Sequence, residues 1–399
     1  MRLMFTGATP WTNSGYGKPL RYLLPRLAEA GHECALAAFY GFQGATTMTN
    51  VRGQPVRLFG LARERFMNDI IEFHAASFDA DVVISLQDVW TLEEWGKKPI
   101  TWVPWMPVDC WPITETVRKA AEGCYAPASY SQWGRDQLID AGFEDARYIP
   151  FGVDLDIHQP LPQGDSRAAI GIERDGFVAG MIAANSSFPS RKSFPEVLLA
   201  WKQWLDDGGE GLLYLHTTIT PKREQGIDFQ KLLSVMGLPW TTTDDPNAER
   251  KARAVVMFPS QHRMWCHAYD DQALAQVYNS LNLLLCPSMS EGFGIPIVEA
   301  QACGVPVITL KCTSMPELTF SGISLEPVQW YWHDQGGWRG IVGVKDLVEA
   351  IDWGCTMSKA PQGSVHYATK ARASVMRFGW DQVVAEYWTP LLEELESVS

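Results

Sequence analysis

Short, uninterrupted apolar runs that alternate with helix-patterned segments recur along this chain, and this alternation restricts its fold more than any other feature. Arg2–Thr6 opens the series. Pro19–Ala30 has helical periodicity and ends at Gly31, Cys34–Phe39 reads as the next strand, and Val82–Leu86 and Ile100–Val103 read as later buried strands. Tyr125–Ala126 precedes Ser129–Gly134, from which a helix runs to Gly142. The pattern is that of an open α/β sheet, whose ligands gather at the C-terminal ends of its strands. A second series starts at Phe177–Ala183. It continues with a helix over Pro195–Leu205, a strand at Leu212–Thr217, a helix at Leu274–Asn279 and a strand at Leu283–Cys286. Residues 158–166, rich in Pro, Gln, Gly and Asp, read as the linker between the two series. At 399 residues the chain is long enough for two domains with separate cores.

The stretch Ser290–Ile308 reads as loop, short helix, then buried strand. Pro296 suits the start of the helix, where its missing N–H costs nothing, and Gly304 suits its end. Gly292 and Gly294 line the approach. A glycine-lined loop feeding a helix N-terminus offers backbone N–H groups and a positive dipole end to an anion, while Glu291 and Glu299 offer acceptors to hydroxyl groups. Anion donors beside hydroxyl acceptors suit a sugar nucleotide. Read separately, Glu299 could simply complement a helix dipole and Glu291 could sit in a solvated loop.

Glu291 and Glu299, with Gly-Phe-Gly-Ile-Pro-Ile-Val between them, resemble the E-x7-E element of the retaining GT-B glycosyltransferases of family 4. The resemblance implies two Rossmann-like domains facing each other across a cleft, with a C-terminal helix crossing back to the N-terminal domain. It implies an acceptor domain over residues 1–155, joined by 380–399, and a donor domain over 156–379. Tyr148–Asp154 resembles the family's crossover, with Phe151 where asparagine is usual. Glu291 is then expected to contact the donor sugar and Glu299 the ribose, with Gly292, Phe293, Gly294, Ile295 and Ser288 beside the donor. Phe258 and Pro259 would cradle the base through their backbone, with Gln261 and His262 as neighbours. Glu317 follows the same resemblance and can equally be structural. The expected enzyme is a metal-independent hexosyltransferase with no cofactor, using a nucleoside-diphosphate sugar as donor.

Asn185–Ser193 leads from a strand into a helix, with Ser193 and Glu196 spaced as a capping box and Pro195 in the first turn. Arg191 and Lys192 just before a helix start oppose its dipole by ~0.3–1 kcal/mol each, which calls for an anion between them and the helix. A diphosphate would supply it, and the family carries a basic pair on this turn, although its arginine normally precedes the lysine by several residues. A solvated basic turn is the alternative. Asn13, Ser14, Gly15, Tyr16 and Gly17 resemble the family's glycine loop near donor phosphate and acceptor, or form an ordinary strand-to-helix turn. Pro19 rules out a P-loop, since Ser or Thr would be required there. Trp102–Pro112 ends a buried strand so as to present Asp109, where many family members carry a histidine. Asp109 would hold a sugar hydroxyl or orient the acceptor, or is simply a charged loop residue. Trp105 and Trp111 could be stacking platforms, although most of the 17 tryptophans must be core. Trp330–Trp338 departs from the family pattern.

A formal net charge of −13 argues against a protein that tracks DNA or an anionic membrane, without excluding a local basic groove. The eight cysteines have no paired zinc-ligand spacing, and Cys266-His267 with His262 lacks a second ligand pair, so reduced thiols and no metal are expected. No apolar run approaches the roughly 20 residues of a bilayer span, and the N-terminus lacks a signal-peptide pattern. A cytoplasmic location is the expectation. The leading reading is retaining transfer to an acceptor hydroxyl of a small molecule, glycan or protein. Three others stay open: a phage-type DNA-base glucosyltransferase, a sugar-nucleotide epimerase on the same scaffold, and a non-catalytic nucleotide-sugar or glycan-binding module. A paired-carboxylate hydrolase is disfavoured, because both glutamates fall on one side of the expected donor.

Overall fold

A computed structural model of the protein describes residues 1–221, 225–334 and 336–398. The chain divides into two units: Met1–Asp154 with Trp332–Trp338 and Arg377–Ser399, and Leu155–Tyr331 with Arg339–Met376.

In the first unit eight strands form one sheet, in the spatial order Thr47–Val51, Gln54–Phe59, Glu33–Tyr40, Arg2–Ala8, Val82–Leu86, Trp102–Met106, Ala128–Ser129, Arg147–Tyr148. All neighbours run parallel except the edge pair Thr47–Val51 and Gln54–Phe59. Arg2–Ala8 pairs with Glu33–Tyr40 on one side and Val82–Leu86 on the other. The chain therefore reverses its winding direction there, which opens a crevice at the strands' C-terminal ends. Helix Gly17–Glu29 follows the first strand, and Gly31, at φ +94°, ends it as the sequence predicts.

The C-terminal segment belongs to this unit. It is helical over Trp380–Val383 and Thr389–Val398, with a π-type turn at Val384–Trp388 between them. The sequence periodicity places Val383, Val384, Tyr387, Leu391 and Leu395 on one face. The wider turn shifts that register, so Trp388 is fully buried while Val384 and Tyr387 are only half-buried.

In the second unit seven parallel strands follow the order Trp240–Thr242, Val256–Phe258, Leu212–His216, Val178–Ile182, Leu283–Cys286, Val307–Leu310, Gly322–Leu325. Val178–Ile182 lies between Leu212–His216 and Leu283–Cys286 and marks this sheet's switch point. The turns that leave Ile182 and Cys286 consequently run side by side, and the Met289 N–H donates to the Arg191 carbonyl at 2.8 Å.

Two expectations are corrected here. Residues 158–166 are not a linker: His158 is fully buried, Gln163–Ile170 is a helix, and the Leu161 N–H donates to Asn279 Oδ1 at 2.8 Å. Polar composition resembled a linker because the partners that satisfy it lie more than a hundred residues away. The capping box at Ser193 and Glu196 does not form. Ser193 adopts left-handed φ 58°, its hydroxyl makes no capping bond, and the Phe194 N–H instead donates to Ser190 Oγ. The segment around Trp330–Trp338 is a hairpin of Pro327–His333 with Gly337–Val342.

Candidate functional site

Helix Ile295–Ala302 begins after Gly294, whose φ of +110° is a conformation that L side chains rarely adopt. Pro296 lies in its first turn, as expected. At the other end the Val305 N–H donates to Ala300 O at 2.9 Å and the Gly304 N–H to Gln301 O at 3.0 Å. This is the bonding of a Schellman motif around a left-handed Gly304, at φ +82°. Gln301, fully buried, donates to Ile297 O and Leu318 O and accepts from the Phe320 and Ser321 N–H groups. The helix is thereby fixed against the next loop with every polar atom of that side chain engaged.

Glu291 sits just ahead of this helix and is buried. Lys192 Nζ pairs with its Oε1, Arg191 Nη1 lies 3.3 Å from its Oε2, and the Ser288 hydroxyl adds a hydrogen bond. Burial pushes the Glu291 carboxyl up, but Lys192 and Arg191 more than offset it and hold it at about 2. The anion that the adjacent cations require is, in this structure, the Glu291 carboxylate. Arg191 also donates to the Ser290 carbonyl. The Glu291 N–H donates to Thr313 Oγ1 at 2.9 Å, and Ser314 Oγ donates to the carbonyls of Glu291 and Phe293 at 2.9 and 2.7 Å. Thr313 and Ser314 therefore hold the loop's backbone in place, and no motif in the sequence points to them. Thr313 does so from a left-handed φ of 52°.

Glu299 lies within the same helix with its side chain buried. The Tyr278 hydroxyl donates to its Oε2 at 2.7 Å, and His158 Nε2 lies 3.6 Å from its Oε1. Arg191, Lys192, Ser288, Glu291, Gly292, Phe293, Gly294, Ile295 and Glu299 are thus gathered on two adjoining turns and one helix of the second unit. Phe258 is core, packed on Phe229 and Trp240, and Gln261 rather than His262 braces the turn after it. Gln261 accepts from the Ile219 N–H and donates to the carbonyls of Thr217 and Pro259. His262 is exposed on helix Gln261–Trp265, with its ring 3.8 Å from Cys266 Sγ. Glu317 is half-buried in the short helix Met315–Leu318.

In the first unit the expected loop Asn13–Gly17 follows the first strand, and Thr12 and Ser14 brace it. Thr12 Oγ1 donates to Thr9 O, and the Gly17 N–H donates to Ser14 Oγ. A Cβ on Gly17 would meet Thr12 Oγ1 at 2.1 Å, whereas one on Gly15 would meet nothing. The Tyr16 hydroxyl donates to Asp88 Oδ2 at 2.8 Å, and its pKa is raised well above the usual value by burial first, then by Asp88, Tyr130 and Asp109. Tyr16, Asp88 and Asp109 follow three successive strands of the sheet, so they meet at its C-terminal edge; Asp88 was missed because it belongs to no motif. Trp111 is exposed, and its backbone exchanges hydrogen bonds with Trp338. Trp105 cannot be a stacking platform. It is fully buried among Tyr130, Phe151 and Trp388, and its indole N–H donates to Ile149 O at 2.8 Å.

Among the described residues no three His, Cys, Asp or Glu side chains are grouped to hold a metal ion, and no helix is long and apolar enough to cross a membrane. The cysteines are free thiols, of which Cys266 is exposed and Cys124 half-buried.

Residues 248–323, in the second unit, match the family described as Glycosyl transferases group 1. The chain as a whole has the GT-B fold of two Rossmann-like units. It is similar over 100% of both chains to sucrose-phosphate synthase from Thermosynechococcus elongatus, with TM-score 0.73 and 16% identity. It is similar to HepE of Anabaena, solved in complex with UDP-glucose, with TM-score 0.70 and 16% identity over 98% of this chain and 100% of that one. Among curated proteins it is 27% identical over 179 residues to D-inositol 3-phosphate glycosyltransferase of Mycobacteroides abscessus, 42% of this chain and 33% of that protein. The chain therefore spans about a third of the length of that relative.

Proposed function

We propose that the protein is a retaining, metal-independent glycosyltransferase that moves a sugar from a nucleoside-diphosphate sugar to an acceptor hydroxyl. The observation that carries this reading is the Glu291 carboxylate held by Lys192 and Arg191 at the start of helix Ile295–Ala302, with Glu299 buried farther along it. When a donor binds, its diphosphate competes for the two cations and the helix N-terminus, and Glu291 is released toward the sugar hydroxyls. Transfer forms a bond from the acceptor oxygen to the anomeric carbon and breaks the bond from that carbon to the phosphate oxygen. The acceptor proton goes to the departing phosphate, and Lys192 and Arg191 stabilise the charge that develops there. The UDP-glucose complex of HepE is consistent with such a donor.

The test is protection against thermal unfolding by UDP-, GDP- and ADP-sugars, followed by mass spectrometry of polyols, oligosaccharides, protein and hydroxymethylated DNA incubated with the donor that protects. One donor is expected to raise the Tm and to label one acceptor class. A melting curve that no nucleotide sugar moves would remove the reading.

A further inference from the structure

The hairpin that carries Trp332 and Trp338 departs from the family pattern, and its tryptophans are placed at the surface. Trp332 and Trp111 are about half exposed, at 51% and 53%. The indoles of Trp332 and Trp338 meet edge-on, with ring centroids 4.9 Å apart. Trp338 and Trp111 oppose each other in an antiparallel bridge: the Trp338 N–H donates to Trp111 O at 2.6 Å, and the Trp111 N–H donates to Trp338 O at 3.4 Å. Directly opposed residues of such a pair carry their side chains on one side of it. The approach is close enough to require glycine beside Trp338, since a Cβ on Gly337 would meet Cys110 Cβ and Sγ at 2.7 Å. Trp111, Trp332 and Trp338 thus form one aromatic patch within the first unit, from segments more than 200 positions apart.

Exposed apolar side chains scattered singly are ordinary, whereas a fixed cluster marks a binding surface. Area and charge decide among its occupants. Indoles that bury about 150–250 Å² each when covered leave on the order of 300 Å² here. That is far short of the roughly 800 Å² that each partner gives to a stable protein interface. Residues 104–112 and 327–338 contain Asp109 and Asp334 but no lysine or arginine, so the two segments lack the basic residues that hold an anionic membrane. A sugar ring suits both properties, because its C–H face packs on an indole and its rim of hydroxyls donates to carboxylates. Asp109 stands two residues before Trp111, at the sheet edge shared with Tyr16 and Asp88, and Asp334 follows Trp332 by two. We propose that Trp111, Trp332 and Trp338 form a stacking platform for an uncharged saccharide, so that the acceptor of the proposed transfer is a glycan. The acceptor role rests on the transferase reading, whereas saccharide binding by the platform does not.

The experiment is saturation-transfer difference NMR with millimolar maltotriose, cellotriose, mannotriose and triacetylchitotriose. It compares the wild type with Trp111→Ala, Trp332→Ala and Trp332→Tyr, and uses Trp265→Ala, an exposed tryptophan of the second unit, as control. At least one trisaccharide is expected to receive saturation at its ring C–H protons. Its Kd should rise at least about 10-fold in each alanine variant and less than about 3-fold in Trp332→Tyr, which keeps an aromatic face. Trp265→Ala should bind as the wild type does. The proposal fails if no trisaccharide binds, if the alanine variants keep the wild-type affinity, or if Trp265→Ala weakens binding equally. It fails as well if the same tryptophans instead drive self-association in sedimentation or binding to phosphatidylglycerol vesicles. Should one alanine variant not fold, the other decides, with Trp332→Tyr as its folded reference. A trisaccharide that binds while no nucleotide sugar moves the melting curve removes the transferase reading and leaves the platform. A donor that protects while no trisaccharide binds does the reverse.

Discussion

A single residue, Glu291, concentrates the electrostatics of the donor side. Its carboxyl, raised by burial and lowered further by Lys192 and Arg191, stands at about 2, below the ordinary carboxylate range. Its folded-state pKa is depressed, so its stabilisation is complete above the unfolded value near ~4.3 and is lost as pH falls toward the folded one. In urea titrations at pH 6, 4 and 2.5, Glu291→Gln should lose less stability on acidification than the wild type, by on the order of 1–3 kcal/mol. Lys192→Ala should lower kcat by about 100-fold or more, as expected when a charge-stabilising group is removed, while the far-UV spectrum stays unchanged. Two tryptophans make a sharp contrast at the same scale. Trp105→Ala should cost roughly 3–5 kcal/mol in urea unfolding because it empties a full core site. Trp111→Ala should cost under about 1 kcal/mol, because an exposed indole has little to lose. Both lie in one eleven-residue aromatic run, and strand alternation does not say which ring turns inward once the strand ends at Met106.

Elements decide how those residues are presented. The loop and helix around Gly294 were legible because each end carries its own local chemistry: a proline in the first turn and a left-handed glycine at the stop. Gly294→Ala should destabilise by about 1–3 kcal/mol, since a Cβ would meet Ile297 Cδ1 at 2.8 Å from an already strained φ. The same variant should weaken protection by the nucleoside diphosphate, a loss that thermal shift reads directly. Helix Phe194–Asp206 shows the opposite case. Its start has the spacing of a capping box, yet Ser193 is held left-handed where its hydroxyl cannot reach back, and burial raises the Glu196 carboxyl. A cap depends on one backbone angle, and spacing does not specify that angle. In the same way the π-type turn at Val384–Trp388 displaced the buried stripe, because periodicity assumes a constant number of residues per turn.

At the scale of the molecule, each unit has its own sheet and its own core. Calorimetry should therefore resolve two transitions. A nucleoside diphosphate should raise the one that Gly294→Ala lowers, by about 2.7 kcal/mol at a hundredfold excess over Kd. The transition that Trp105→Ala lowers should not move; if the ligand shifts both equally, the units do not melt separately. The amino-acid sequence by itself determined the two α/β series, central strands such as Val82–Leu86 and Leu283–Cys286, and the loop-helix-strand that carries Glu291 and Glu299, but not the outer strands Thr47–Val51, Gln54–Phe59, Arg147–Tyr148, Trp240–Thr242 and Gly322–Leu325. Those features depend on neighbours within a few positions: apolar runs, turn glycines, a proline. Only the tertiary structure decided that Lys192 and Arg191 close on Glu291, that Thr313 and Ser314 hold its backbone, that Tyr278 and His158 meet Glu299, and that Arg372 ties the carbonyls of Leu155 and His158 to that of Ala302. These contacts join residues from about 20 to more than 200 positions apart. A buried polar group is satisfied by whatever the folded chain brings beside it, and local sequence carries no record of that partner.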